Sequence, residues 1–587
     1  MISETKQCQN CRQEFQIEPE DFSFYERIRV PSPTWCPECR AMRRMLFWNE
    51  HELFRKKDAL TGKEIFSTYP EAAPVKIYEH DYWWSDKWDP MDYGRDYDFS
   101  RPFFEQFKEL AEAVPRPARA VINLVNSDYC NQASDLKNCY LVFNGNTMEN
   151  CAYVVAALKM RNCLDAYQSG ECELCYEGFS IAGAYANHFS AETGGCRDSW
   201  FLLNCRDCSD CFGCVNLRHK KYHIFNEPYT KEEYEKKLKE FNLGSHKSLL
   251  ELKKKTRDFW LKFPRKYANV GVMNTNVEAS EYVYRSKNVK YSYQGLNMEN
   301  VRYAQSVAEG VKDTYDYTSW GHGAELFYEA ASCGTDSRSI KFCYDCWPAC
   351  EDIEYSMGCH SSTNLFGCMG LSKKQYCIFN KQYTKEEYKG LVAKIKEHMD
   401  KMLYKDKKGR VYKYGEFFPP ELSPLAYNET AAQDIFPLDE KQAEKMGFLW
   451  RPMDRKEFEA TISAADLPDH VKDTAENITN EKIACLGCKR AYRIIPMELE
   501  FYKRMGIPLP RLCPNCRYLE RISWRNPLKW RHGQCQCAGS KSDNGVYKND
   551  TAHAHGSEHC PNEFETFYTW DRPEIVYCES CYNSEIV

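Results

Sequence analysis

Residues 138–179 read NCYLVFNGNTMENCAYVVAALKMRNCLDAYQSGECELCYEGF. Cys139, Cys151, Cys163 and Cys175 stand 12 residues apart, often with Asn before them and Tyr within two residues after. Short β-prone runs at a fixed period, punctuated by Asn and Gly, predict the stacked coils of a parallel β-solenoid. In such a fold the same inward position recurs as a ladder from coil to coil. Asn suits the corners, because it tolerates left-handed backbone and can ladder its amide onto the coil above. The period alone leaves open whether a coil is 12 residues or a multiple.

Outward from this stretch the chain is duplicated. Phe212–Tyr234 recurs as Phe366–Tyr388 with 15 of 23 positions identical, and Gly145–Tyr153 pairs with Gly295–Tyr303. Two solenoid blocks are therefore expected. Each ends in Ile-Phe-Asn followed by Tyr-Thr-Lys-Glu-Glu-Tyr. Thr230 with Glu233, and Thr384 with Glu387, have capping-box spacing. Helices over 231–241 and 385–403 should cover sheet edges that would otherwise be open.

A second duplication brackets the first. Cys8-x2-Cys11-x24-Cys36-Pro-Glu-Cys39-Arg40 near the start matches Cys485-x2-Cys488-x24-Cys513-Pro-Asn-Cys516-Arg517 near the end. Two CxxC knuckles place four thiolates for a tetrahedral ion and leave no position open for substrate, the pattern of structural Zn²⁺. Arginines after each second knuckle suggest a helix, giving a knuckle–hairpin–helix unit of treble-clef type. The similarity runs on. Glu64–Tyr78 corresponds to Glu563–Tyr577, after which only the C-terminal copy continues with Cys578-x2-Cys581. A further zinc site is expected there on Cys537, Cys560, Cys578 and Cys581, with the place of Cys535, His553, His555 and His559 open. The N-terminal counterpart, 58–82, has no cysteine. It is expected to have lost its metal and to rest on packing by Trp83, Trp84 and Trp88. About three Zn²⁺ are expected in all, one per four-thiolate set.

The other cysteines read differently. Cys205, Cys208, Cys211 and Cys214 have the look of an iron–sulfur run. In the second half, however, Cys139 and Cys151 are replaced by Val289 and Val301, Cys175 by Phe327, and Cys211 by Leu365. Such residues cannot ligate metal but can fill the core position of a buried thiol. Cys196, Cys205 and Cys214 do keep counterparts in Cys350, Cys359 and Cys368.

Arg40, Arg43 and Arg44, and Arg517, Arg521 and Arg525, lie among Trp48, Trp524 and Trp530. Arginine interleaved with aromatic rings is a nucleic-acid-binding pattern when exposed, so these six are candidate contacts to RNA or DNA. A solvated helix face with tryptophans turned inward is the competing reading. A formal net charge of −6 excludes a chain that is basic throughout. No Walker, nucleophile-elbow or Rossmann motif occurs, and His51-Glu52 fails as a zincin start because Arg55 stands where a second His is needed.

With 587 residues the chain should be multidomain. The expected layout is a zinc module at 1–57, a degenerate accessory lobe at 58–92, a helical linker at 93–124, solenoid blocks at 125–229 and 271–383, helical caps at 230–270 and 384–408, a connector at 409–481, a second zinc module at 482–532 and an accessory zinc lobe at 533–587. The 31 cysteines, the CxxC pairs and the absence of a signal-like start or membrane-length apolar run lead to the expectation of a cytoplasmic protein with reduced thiols and no membrane partner.

The pattern CxxC…Phe-Tyr…Pro…CPxCR resembles zinc-ribbon and treble-clef domains of many bacterial proteins. The whole chain resembles large Cys- and Tyr-rich proteins of candidate-phyla-radiation bacteria, some of which carry a CaiB/BaiF CoA-transferase label that no motif here supports. The resemblance implies zinc binding and brings no activity with it. The expected function is a non-catalytic, zinc-binding scaffold or binding protein, with protein or ribonucleoprotein as candidate partner. The rivals are a thiol or redox enzyme using solenoid cysteines or the C-terminal Cys/His site, and a purely structural protein–protein interaction module.

Overall fold

The computed structural model describes residues 2–268, 271, 273–452 and 458–586. The expected block boundary at residue 270 and residues 453–457 of the expected connector lie outside them. The chain is β-rich: two parallel β-solenoid blocks, flanked by modules that carry the cysteine clusters of both termini. One block is an 11-stranded sheet from Val121–Val125 to Glu227–Pro228, and the other a 13-stranded sheet from Thr275–Glu278 to Lys381–Gln382.

Tyr140 pairs with Ala152, Ala152 with Leu164, Leu164 with Tyr176 and Tyr176 with His188, so one coil is 12 residues. Each coil is built from triplets. The backbone φ is positive at Asn138, Leu141, Asn144, Thr147 and Asn150, which turns the chain at every third residue. The residue after each turn (Cys139, Val142, Gly145, Met148, Cys151) faces a narrow lumen. The third residue faces out. Left-handed backbone costs an ordinary residue roughly 1–2 kcal/mol. Hydrogen bonds along the coil edges offset it, since the turn residue donates to the coil before (Asn150 N to Lys137 O, 3.0 Å) and the outward residue to the coil after (Ala152 N to Cys163 O, 3.1 Å). Where the turn residue is Asn, its amide ladders as well. Asn126, Asn138, Asn150 and Asn162 link in series at 3.1–3.2 Å.

The inward residue's own N–H points into the lumen and needs an acceptor there. The side chain one coil earlier supplies it: Ser190 Oγ accepts from Leu202 N at 3.0 Å, Ser356 Oγ from Cys368 N at 3.0 Å, and Cys163 Sγ from Cys175 N at 3.4 Å. Small residues that can accept, serine and cysteine, therefore line the lumen.

The second block widens midway. Its register lengthens to 13 at Glu299↔Lys312, Tyr315↔Tyr328 and Arg338↔Glu351, then returns to 12 at Glu351↔Thr363. Each block closes with the Ile-Phe-Asn phrase. Asn380 caps the final coil by pairing with both the N–H and the C=O of Met369, at 2.8 Å each, and Asn226 does the same to Val215. Helices Lys231–Glu240 and Lys385–Lys401 follow, each started by a reciprocal Thr–Glu capping box.

The termini repeat one plan. A hairpin (Glu4–Gln7 with Glu14–Ile17) leads to helix Pro19–Ile28 and then helix Pro37–Met45; Ile483–Ala484 with Ala491–Tyr492, Pro496–Met505 and Pro514–Ile522 do the same. The docking crosses the chain. The N-terminal helix Pro37–Met45 lies on strands Lys312–His322 and Tyr328–Ala331 of the second block, while Pro514–Ile522 lies on Leu164–Tyr167 and Tyr176–Phe179 of the first.

Candidate metal centres

Four hairpins share one detail. The residue after the first strand donates its N–H to the residue before the second: Cys8 to Gln13 (2.9 Å), Cys485 to Arg490 (2.8 Å), Cys535 to Asn562 (2.9 Å) and Asp58 to Lys63 (2.9 Å). In three of them a cysteine so placed meets another cysteine at the start of a helix. Cys36 and Cys513 are the N-caps of Pro37–Met45 and Pro514–Ile522, and Cys578 precedes Glu579–Ile586. The helix-start cysteine donates its N–H to the hairpin sulfur at 3.3, 3.2 and 3.1 Å respectively. Each set thus has the N–H···S bonds and helix N-terminal dipole that stabilise thiolates.

Cys8, Cys11, Cys36 and Cys39 come together, as do Cys485, Cys488, Cys513 and Cys516, with all sulfurs of a set within 4.8 Å of one another. Cys11 Sγ lies 3.8 Å from Cys36 Sγ, and Cys488 Sγ 3.6 Å from Cys513 Sγ. A tetrahedron with 2.3 Å zinc–sulfur bonds has sulfurs about 3.8 Å apart. The sets therefore fit a tetrahedral ion. Hydrogen bonding with Cys36 lowers the Cys11 thiol to about 7. Burial would raise Cys485, but N–H groups of Cys488, Cys513 and Gly487 outweigh it and bring that thiol to about 7.

The third set differs from the expected one. Cys560, Cys578 and Cys581 are joined by Cys535, not by Cys537, within the same 4.8 Å limit. The hairpin explains it: Cys535 follows strand Arg531–Gln534 as Cys8 follows Glu4–Gln7, and two residues later Cys537 has left that position. Cys537 lies instead with His553, His555 and Cys581. His559 bonds to Asp543 and belongs to neither group.

In the N-terminal accessory lobe Asp58 holds the place of Cys535. Its carboxylate accepts from the Thr61 N–H at 3.0 Å and hydroxyl at 2.5 Å, closing the turn. Lys56 Nζ donates to the carbonyls of Pro70, Glu71 and Ala73 at 3.0–3.2 Å. Trp83 is buried and its indole donates to Pro115 O, Trp88 donates to Trp83 O, and Trp84 stays partly exposed against His360 and Trp347.

The six candidate nucleic-acid arginines are not a basic face. None of Arg40, Arg43, Arg44, Arg517, Arg521 and Arg525 is more than 8 % exposed. Arg40 and Arg44 hold Asp316 at 2.9 and 3.3 Å, Arg43 and Arg44 share Glu329, and Arg43 also reaches Glu416. Arg517 and Arg521 hold Asp165 at 2.9 and 2.8 Å, Arg517 also binds Glu498, and Arg525 donates to Tyr167 Oη. The tryptophans pack too: Trp48 is buried, Trp524 abuts Trp260 and Trp530 lies on Phe567. The shared aspartates lie far off in sequence, 276 residues between Arg40 and Asp316 and 356 between Arg521 and Asp165, which is why the local pattern misled. His51, rejected as a zincin start, is ion-paired with Asp434 at 3.0 Å.

Cys205, Cys208, Cys211 and Cys214 are the four inward positions of one coil. Among the described residues, the ligand groups within 4.8 Å of one another lie at the termini, and these four are not among them. In the second block, burial pushes the Cys350 and Cys377 thiols up to about 12. They donate to backbone carbonyls: Cys350 Sγ to Cys359 O at 3.4 Å, Cys377 Sγ to Gln375 O at 3.4 Å.

No family model matches this chain and no curated protein matches it. Among solved structures, one described as a "putative acetyltransferase" from Desulfovibrio desulfuricans G20 aligns with 49 % of this chain and 85 % of that one, at 8 % identity and a TM-score of 0.10. A likeness this slight carries no argument. Among the described residues no helix is long and apolar enough to cross a membrane.

Proposed function

We propose that this is a zinc-dependent, non-catalytic scaffold or binding protein, whose ions are structural and sit in modules of zinc-ribbon or treble-clef type. The observation that carries this reading is the third tetrathiolate set. Cys535, Cys560, Cys578 and Cys581 repeat the hairpin-to-helix placement of the terminal sets, with every sulfur buried and none left facing solvent. A catalytic zinc keeps a coordination position open for water or substrate, and four thiolates leave none. A role in RNA or DNA binding through the knuckle-helix arginines loses its support, because those side chains are spent on the solenoids. A thiol enzyme built on the lumen cysteines is equally unsupported, because those sulfurs are enclosed in the coil interior.

Metal analysis of the full chain purified without oxygen tests the reading. At least three zinc ions and no iron are expected. Removing them should unfold the terminal modules, since structural zinc contributes on the order of 10–16 kcal/mol to such units. Iron with visible absorbance, or a metal-free protein with unchanged melting, would overturn it.

A further inference from the structure

The cysteine left over in the C-terminal lobe points to a second ion beside the third tetrathiolate site. Cys537 Sγ, His553, His555 and Cys581 Sγ offer ligand atoms within 4.8 Å of one another, and Cys581 belongs to both groups. We infer that Cys535, Cys537, His553, His555, Cys560, Cys578 and Cys581 build a binuclear zinc centre in which Cys581 bridges the two ions. The inference rests on the zinc reading above and extends it from three ions to four.

The imidazoles are oriented for this. His553 Nε2 lies 2.9 Å from Glu585 Oε1, which leaves Nδ1 as the ligand atom; its side chain is 1 % exposed. His555 Nδ1 lies 2.7 Å from Glu558 O, so its Nε2 is the free nitrogen, and that atom lies 3.3 Å from Cys581 Sγ. A ligating histidine that hands its other nitrogen to a carboxylate or carbonyl is the usual outer-shell arrangement of zinc sites. The support goes a layer deeper. Glu585 also accepts from the N–H groups of Asp550 and Thr551, the Thr551 hydroxyl and the Tyr547 hydroxyl, at 2.7–3.2 Å. One carboxylate on the last helix thereby pins the loop that carries both histidines. Asn549, in the same loop, donates to Cys537 Sγ at 3.2 Å and accepts from Tyr577 Oη at 2.9 Å.

Charge favours the pair. One divalent ion on four thiolates leaves two negative charges in a buried lobe. Two ions on five thiolates and two neutral imidazoles leave one, and burying less net charge costs less. The composition also explains a difference between the copies: the N-terminal lobe lacks all five cysteines and both histidines together, and closes its turn with Asp58 instead.

Native mass spectrometry of the full, zinc-loaded chain counts the ions. Four are expected, falling to three in the His553→Gln/His555→Gln double variant. Three ions in both proteins, or four retained in the variant, would overturn the binuclear centre and leave the zinc reading standing; no bound metal at all would overturn the zinc reading itself. A measurement on the unmodified chain guards against a variant that does not fold. With cobalt(II) in place of zinc, a thiolate-bridged pair is spin-coupled, so low-temperature magnetisation should show two of four ions coupled. Four independent cobalt ions would overturn the bridge.

Discussion

At the scale of single residues, the lumen decides why cysteine and serine are so frequent. A triplet coil aims the N–H of each inward residue at the coil before it, and the side chain there either accepts it or leaves it unpaired. Serine oxygen is the stronger acceptor and cysteine sulfur the weaker, while valine fills volume only. The two blocks already exchange these roles, because Val289 and Val301 sit inward and buried where the first block has Cys139 and Cys151. Cys139→Val should therefore change unfolding free energy by less than about 1 kcal/mol. Ser356→Ala removes the acceptor of Cys368 N and should cost about 1–3 kcal/mol. Equilibrium denaturation of both variants checks the pair. Equal costs would mean that the lumen N–H groups are satisfied some other way.

At the scale of elements, the same arginines that resemble a binding face are the docking surface of each knuckle helix. Arg40 lies over the ring of Tyr303 at 5.2 Å and Arg517 over Tyr153 at 4.9 Å, with Tyr303 and Tyr153 donating back to Asp21 and Glu498 of the preceding helices. The two interfaces share this arginine pair on one solenoid aspartate, Arg40 and Arg44 on Asp316 and Arg517 and Arg521 on Asp165, whereas Glu520 stands where the N-terminal helix has Arg43. A buried carboxylate holding two guanidiniums is costly to lose from one side only. Asp316→Asn should leave Arg40 and Arg44 underpaired and destabilise the N-terminal docking by about 3–5 kcal/mol. Thermal melting together with protease sensitivity of the helix Pro37–Met45 would register it, and an unchanged protein would show the ion pairs to be dispensable. Much of this architecture was legible beforehand. CxxC spacing betrays the four-cysteine sets because thiolate geometry tolerates little variation, and the 12-residue period shows because cysteine happens to mark it. The triplet turn was only partly visible: Asn marks many of the corners, but Leu, Thr, Tyr, Ala and Lys occupy the left-handed position as well and do not advertise it. The Cys535–Cys537 choice was equally closed to spacing arguments. It opens only when the residue after strand Arg531–Gln534 is set beside the residues after Glu4–Gln7 and Ile483–Ala484.

At the scale of the molecule, the two duplications interlock. Each knuckle helix lies on the solenoid block farther from it in sequence, so the chain is clasped by its own ends, while Trp48 and Trp530 of the same modules also reach the nearer block at Gln132 and Tyr291. The outward aromatic residues of the blocks are the surfaces so covered. Phe24 stacks on Tyr315 at 3.9 Å between centroids, and Phe501 and Tyr502 pack on Tyr176 at 5.8 and 5.5 Å. On the zinc reading, metal would stabilise the solenoid coils indirectly, through a module that must be folded to cover them. The crossing makes this separable by position. Loss of the N-terminal ion through Cys36→Ser should raise amide hydrogen exchange in the second block, around strands Lys312–His322 and Tyr328–Ala331, and leave Leu164–Tyr167 and Tyr176–Phe179 protected. Cys513→Ser should do the reverse. Both variants are compared with the unmodified chain at equal zinc, with exchange read by mass spectrometry on matched peptides. If each substitution instead loosened the block nearer in sequence, or both blocks equally, the clasp would not be what couples metal to solenoid. A crossed pattern would establish that each ion guards the far half of the chain.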